Sequence, residues 1–182
     1  MKKIILLFAS IMLSTTCIYS QEYKNSIGIV AGSLNGLSYK TFVKENVAVQ
    51  TDLAFGLLAT RGTVYYAGYA FSGEEHVWTF QLQPNVYYQK NIHDVAWGGI
   101  DAFVGGGASL GYAEEFGSDL SLGKFGLNAI AGIELILVDA PITVGLDFRP
   151  GYGMLFANIE DYMPITMHVF DWALAASVRY RF

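Results

Sequence analysis

The chain reads as all-β: an eight-stranded antiparallel up-and-down transmembrane β-barrel, preceded by a cleavable signal peptide. Phe170, Trp172, Leu174, Ala176, Val178, Tyr180 and Phe182 occupy every second position, with Asp171, Ala173, Ala175, Ser177, Arg179 and Arg181 between them. A period of two places these sets on opposite faces of a strand. One face is greasy and aromatic and the other small or charged, as when lipid lies on one side and a polar lumen on the other. The chain is also 53% hydrophobic with 20 glycines. Past the N-terminus it has no apolar run long enough for a spanning helix, so a membrane reading requires strands.

The N-terminus indicates export. Met1, Lys2 and Lys3 form a positive region, and Ile4 to Leu13 an apolar one of signal-peptide length. Cleavage after Ser20 leaves 21–182 as one barrel domain, with a lipoprotein site at Cys17 as the alternative. Cys17 is the single cysteine, so the mature chain can form no internal disulfide. The formal charge of −5 becomes more acidic without Lys2 and Lys3, which argues against a nucleic-acid partner.

Residues 26–43 read as one strand bent near Leu34-Asn35-Gly36, or as a hairpin closed by Asn35-Gly36. Next, Val47, Val49, Leu53, Phe55 and Leu57 alternate with Ala48, Gln50, Asp52, Ala54 and Gly56. A strand near 62–72 carries tyrosine on both faces. Trp78, Phe80, Leu82, Pro84, Val86 and Tyr88 alternate with Thr79, Gln81, Gln83, Asn85, Tyr87 and Gln89. Ile100, Ala102, Val104, Ala108, Leu110 and Tyr112 oppose Asp101, Phe103, Gly105, Gly107 and Ser109. The outward set of 124–137 runs from Phe125 to Leu137, against Lys124, Asn128, Ile130 and Glu134. After Asp139-Ala140-Pro141, residues 142–156 place Ile142, Val144, Leu146 and Phe148 against Thr143, Gly145, Asp147 and Arg149. With the first segment bent, the count is eight, an even number as single-chain barrels require. Turns are expected near 44–46, 58–61, 73–77, 91–96, 113–121, 138–141 and 157–167.

A soluble lipocalin-like barrel alternates too, with its apolar side inward. Here the apolar face is bulky and the opposite face rich in Gly, Ala and Ser, and an eight-stranded interior holds little more than side chains. The inward charges balance: Asp52, Asp101, Glu134, Asp147 and Asp171 against Lys40, Lys124, Arg149, Arg179 and Arg181. Enclosed ions must pair, because an isolated one costs several kcal/mol. Aromatics such as Tyr39, Trp78, Tyr88, Tyr112, Phe156 and Tyr180 fall toward strand ends, as interfacial girdles do.

The leader, the strand rhythm and the closing Val178-Arg179-Tyr180-Arg181-Phe182 resemble the small outer-membrane β-barrels of the OmpA/OmpX type. That resemblance implies location in the cell outer membrane, contact with its lipid and lipopolysaccharide, and insertion by the barrel assembly machinery. Trp172, Leu174, Val178, Tyr180 and Phe182 would form the assembly signal. It says little about activity, and the short connection at Lys44-Glu45-Asn46 departs from relatives that carry a long loop there.

Chemistry is sparse. No residue pattern calls for a cofactor, and His76, His93 and His168 are scattered near turns, whereas a metal needs convergent ligands. Lipid A-modifying enzymes occur among such barrels, and their deacylase type places serine two residues after histidine. Here those positions are Trp78, Val95 and Phe170, although Ser72 or Ser118 could approach in space. Gly105-Gly106-Gly107 lacks the following helix of a phosphate loop and suits close backbone approach. The inward Asp147/Arg149 and Asp171/Arg179/Arg181 would brace strands and fill the lumen, or alternatively line an ion path. Acidic loop residues Glu74, Glu75, Glu114, Glu115, Asp119, Glu160 and Asp161 are solvated ends by default, or sites for a divalent cation or the sugar surface. The expected role is therefore structural or surface-interacting and non-enzymatic, with a lipid A-modifying enzyme and a small channel as rivals.

Overall fold

Eight strands follow one another in chain order, and the first pairs with the last. They are β1 (Asn25–Gly32), β2 (Asn35–Lys44), β3 (Val47–Tyr66), β4 (Tyr69–Val95), β5 (Gly98–Glu115), β6 (Ser121–Leu137), β7 (Ile142–Ala157) and β8 (Ile165–Arg181). Every neighbouring pair is antiparallel and the ring is closed. A computed structural model describes residues 23–66, 69–115, 121–157 and 165–182. The leader 1–20, its cleavage point and Cys17 lie outside them, as do Ser118, Asp119, Glu160 and Asp161.

The alternation maps onto inside and outside. Even-numbered residues from Phe170 on β8 to the following Phe182 are exposed, and Val169, Ala173, Ala175, Ser177 and Arg179 are buried. The outward set includes Leu53, Phe55, Trp78, Leu82, Val104, Leu127, Leu146, Phe148 and Leu174, large apolar side chains that are about half exposed and covered by no second layer of protein. Trp78 and Tyr88 are both outward on β4. Ten residues at about 3.3 Å each, tilted by about 40°, separate them by about 25 Å along the axis, the height of an outer-membrane apolar band. The short connections at 45–46, 96–97 and 138–141 share one end with the described chain termini.

The strand count agrees with the sequence, but its partition does not. Residues 26–43 are two strands, joined by a turn at Ser33-Leu34 rather than at Asn35-Gly36. Gly32 takes a φ of 144°, open to glycine at little cost. The Asn35 amide clamps it from both sides, accepting from Gly32 N and donating to Gly32 O, each at 3.3 Å. The turns expected at 58–61 and 73–77 are absent, because β3 and β4 pair without interruption from Val47↔Tyr88 to Tyr66↔Tyr69. The strand expected near 62–72 is thus divided between the end of β3 and the start of β4. Continuous cross-strand pairing outweighs the breaks in alternation at 58–61 and 73–77.

The short hairpin changes the wall. β2 pairs with β3 only as far as Asn35↔Phe55, and β1 pairs with β8 as far as Gly32↔Ala175. Beyond the hairpin, β3 and β8 pair with each other, from Thr60↔Asp171 to Val64↔Met167. The wall therefore has eight strands near the termini and six toward the loops. At the fork, Ser33 N donates to Leu174 O at 2.9 Å, and Ser33 Oγ accepts from Leu174 N at 3.3 Å. Gly56 lies against the tip, where a Cβ would stand 2.2 Å from Ser33 O. Gly56→Val is expected to push the tip from the fork and cost about 1–3 kcal/mol as overpacking does. A leftward shift of the urea unfolding midpoint in detergent checks this, and an unchanged midpoint would contradict the wedge.

Candidate functional site: the barrel interior

The interior is layered. Nearest the termini, Glu134 on β6 receives Lys40 from β2 and Arg179 from β8, the latter at 3.1 Å. Thr143 Oγ1 and Gln89 Nε2 also donate to Glu134, at 3.0 and 2.9 Å. Gln89 bridges further, donating to Asp101 at 2.7 Å and accepting from Lys40 at 2.7 Å. Arg179 Nε donates to Ser38 Oγ at 2.9 Å. Four strands from across the ring thus meet on one carboxylate.

The next layer is bulky and apolar. Tyr87, Phe103, Ile130 and Ala48 cluster, with Phe42 packed against them, and the rings of Tyr87 and Phe103 lie 4.8 Å apart. Tyr87, Phe103 and Ile130 stand on the inward faces that the alternation assigned them, among the small residues expected there. Glycines on neighbouring strands supply the room: a Cβ on Gly132 would lie 2.6 Å from Phe103 Cζ, and one on Gly105 2.4 Å from Tyr87 Cβ. Tyr87 keeps its hydroxyl satisfied by donating to Gln50 Oε1 at 3.0 Å.

Mid-barrel, Arg149 is 2% exposed. Its Nε and Nη2 fork onto Asp147 at 2.5 and 3.1 Å, and its Nη1 reaches Asp52 at 2.5 Å and Gln83 at 2.9 Å. Two-pronged guanidinium pairing suits an enclosed site because it satisfies several donors at once. Above it, Lys124 pairs with the partly exposed Asp171 at 2.5 Å. A void of about 10 Å³ among Gln81, Ser109, Asn128, Lys124 and Arg149 has room for about one water. Around the fork, Leu34, Ala54, Ala113, Leu122, Leu155, Val169 and Ala173 close together. Leu34 reaches this cluster from the hairpin turn, which the alternating pattern gave no means of foreseeing.

The structure brings most of the ten inward charges together, in partnerships that differ from sequence order. Asp171 faces Lys124 rather than Arg179 or Arg181. Arg181 stands at the terminal rim, where its Nη2 donates to Leu137 O at 2.7 Å and Ala140 O at 3.2 Å. Asp101 accepts from Gln89. Two other sets lie apart: His93 near the terminal end, and His168 near the loop end, hydrogen-bonded to Tyr152 at 3.1 Å. No cluster of three metal-ligating side chains occurs among the described residues. At His76, Ser72, Glu74, Glu75 and Glu115 only backbone is described.

A closed antiparallel ring with bulky apolar side chains outward and ions enclosed is a membrane-spanning β-barrel of the outer-membrane type. The solid-state NMR structure of outer membrane protein AlkL in DMPC lipid bilayers is similar over 92% of this chain and 95% of that one, at 15% identity and a TM-score of 0.50. Neisserial surface protein A aligns over 87% of this chain and 94% of its own at 16% identity, with a TM-score of 0.46. Ail, the attachment invasion locus protein of Yersinia pestis, aligns over 86% and 96% at 15% identity, with a TM-score of 0.32. At these identities the likeness to AlkL is one of fold, and the two lower scores add no weight. No protein-family model and no curated protein matches the sequence. The small eight-stranded outer-membrane barrel expected from the sequence is the fold observed.

Arg149→Ala is expected to strand Asp52 and Asp147 in the interior and to cost about 3–5 kcal/mol. Lys124→Ala should cost less, because Asp171 keeps partial access to solvent. Urea unfolding of both variants in detergent would rank them, and equal losses would refute the difference in enclosure.

Proposed function

We propose that the chain is an integral outer-membrane protein whose lumen is closed by its own side chains and whose role is non-enzymatic. It acts as a membrane-embedded scaffold presenting its loop end to the outside. The carrying observation is the interior: ion pairs braced across the eight-stranded section, and an apolar cluster across the fork where the wall narrows. An ion crossing this lumen would have to break the Arg149 and Glu134 networks and then pass the Leu34, Leu122 and Leu155 layer. That is a poor path for a charge.

Purified barrel in planar bilayers should give no discrete conductance steps, and reproducible steps would overturn the closed lumen. Incubation with lipid A should leave its acyl mass unchanged, and loss or gain of an acyl chain would establish the enzymatic rival.

The partners of this reading are the lipid and lipopolysaccharide around the wall, and the barrel assembly machinery during insertion. Trp172, Leu174, Val178, Tyr180 and Phe182 carry the assembly signal, all on the exposed face of β8. Phe182 also pairs its backbone with Asn25 at the seam, at 2.9 and 3.2 Å. Phe182→Asp should therefore reduce outer-membrane yield in cells while leaving refolding into detergent micelles largely intact. Equal losses in both assays would make the residue structural only.

A further inference from the structure

The lipid-facing wall carries a hollow of about 330 Å³ across β3, β4 and β5. Its sides are built in rungs. Phe55, Phe80 and Tyr112 are direct cross-strand partners, one ring from each strand, and on the next rung toward the loops Trp78 stands opposite Glu114. Directly opposed side chains lie about 4.5–5.5 Å apart at Cβ, so the carboxylate and the rings border one space. All five are exposed. One rung in the other direction, Leu53, Leu82 and Leu110 continue the register. Beyond Leu110, β5 presents Ala108 and Gly106 before the next large outward residue, Val104, leaving a low stretch between them.

A carboxylate on the outward face is unfavourable at mid-membrane and tolerated only near an interface. Trp78 and Tyr112 belong to the aromatic belt at the loop end, so Glu114 sits at head-group height above hydrocarbon depth. Ring faces carry negative quadrupole charge, and with Glu114 they give the hollow a preference for cations. A hard metal ion would need several oxygen ligands, and this hollow offers one carboxylate with the Tyr112 hydroxyl. An organic ammonium group needs none, and ring faces are its usual recognition surface. The aliphatic rung lies where a tail attached to such a group would run.

We propose that this hollow binds single-tailed amphiphiles with an organic ammonium head. The ammonium rests between Glu114 and the rings of Trp78 and Tyr112, and the tail lies along Leu82 and Leu110. This site lies on the outer wall and is independent of whether the lumen conducts.

The test uses the full barrel in neutral maltoside micelles, with Trp97→Phe and Trp172→Phe leaving Trp78 as the one tryptophan. Titration with dodecyltrimethylammonium should change Trp78 emission saturably. Glu114→Gln should weaken the apparent affinity about three- to fivefold, the scale of one exposed ion pair. Tyr112→Leu keeps apolar bulk but removes a ring, and should weaken it as well. Heat-modifiable gel migration verifies that each variant is folded, and the Tyr112 variant carries the test if the Glu114 one is not. Dodecanol and dodecyl sulfate share the tail without the cation. Saturation by either with equal affinity, or unchanged affinity in the folded variants, would overturn the proposal.

Discussion

In hydrocarbon an unpaired backbone amide or carbonyl costs several kcal/mol, and that cost decides where each strand of this chain finds its neighbour. β1 and β2 are too short to span with the rest. Left alone, the upper parts of β3 and β8 would present bare edges to lipid. They close on each other instead, and the hairpin tip occupies the fork with hydrogen bonds of its own from Ser33. The closed wall, the change from eight strands to six and the inward turn of Leu34 all follow from leaving no edge unpaired.

Narrowing the wall changes what can fill it. Barrel diameter grows with strand number, and around the fork, where the wall begins to narrow, alanine, leucine and valine close the interior. The wider part needs longer side chains, and arginine, lysine and glutamine reach across it to carboxylates on distant strands. Ions enclosed at this depth are tolerable because they are paired and hydrogen-bonded several times over. The same contacts tie β2 to β6 and β8, and β3 to β7, so interior filling and wall cohesion are one set of interactions.

The two faces of a strand therefore answer to different solvents. Outward, lipid imposes only a demand for apolar bulk with aromatics at the rims, which many sequences meet. Inward, each position depends on what the opposite wall supplies, as Gly132 does for Phe103 and Gly105 for Tyr87. Features specific to this chain are accordingly concentrated inside, and outside at the few places where a polar group interrupts the apolar surface, such as Glu114.

Strand periodicity alone determined the all-β class, which residues face lipid, and that charges lie within, because a period of two is a local property of the chain and the apolar set is too bulky for the lumen. It did not determine which charges meet. Asp171 finds Lys124 on β6, and Arg149 finds Asp52 on β3, across sequence separations that carry no local signal. Nor could it locate the β1–β2 turn or the uninterrupted β3–β4 pairing: Asn35-Gly36 and the segments 58–61 and 73–77 look like turns, and only the partner strand decides whether they turn. Tertiary structure settled these points because register, closure and ion pairing are relations between strands, and each depends on the sheet closing on itself.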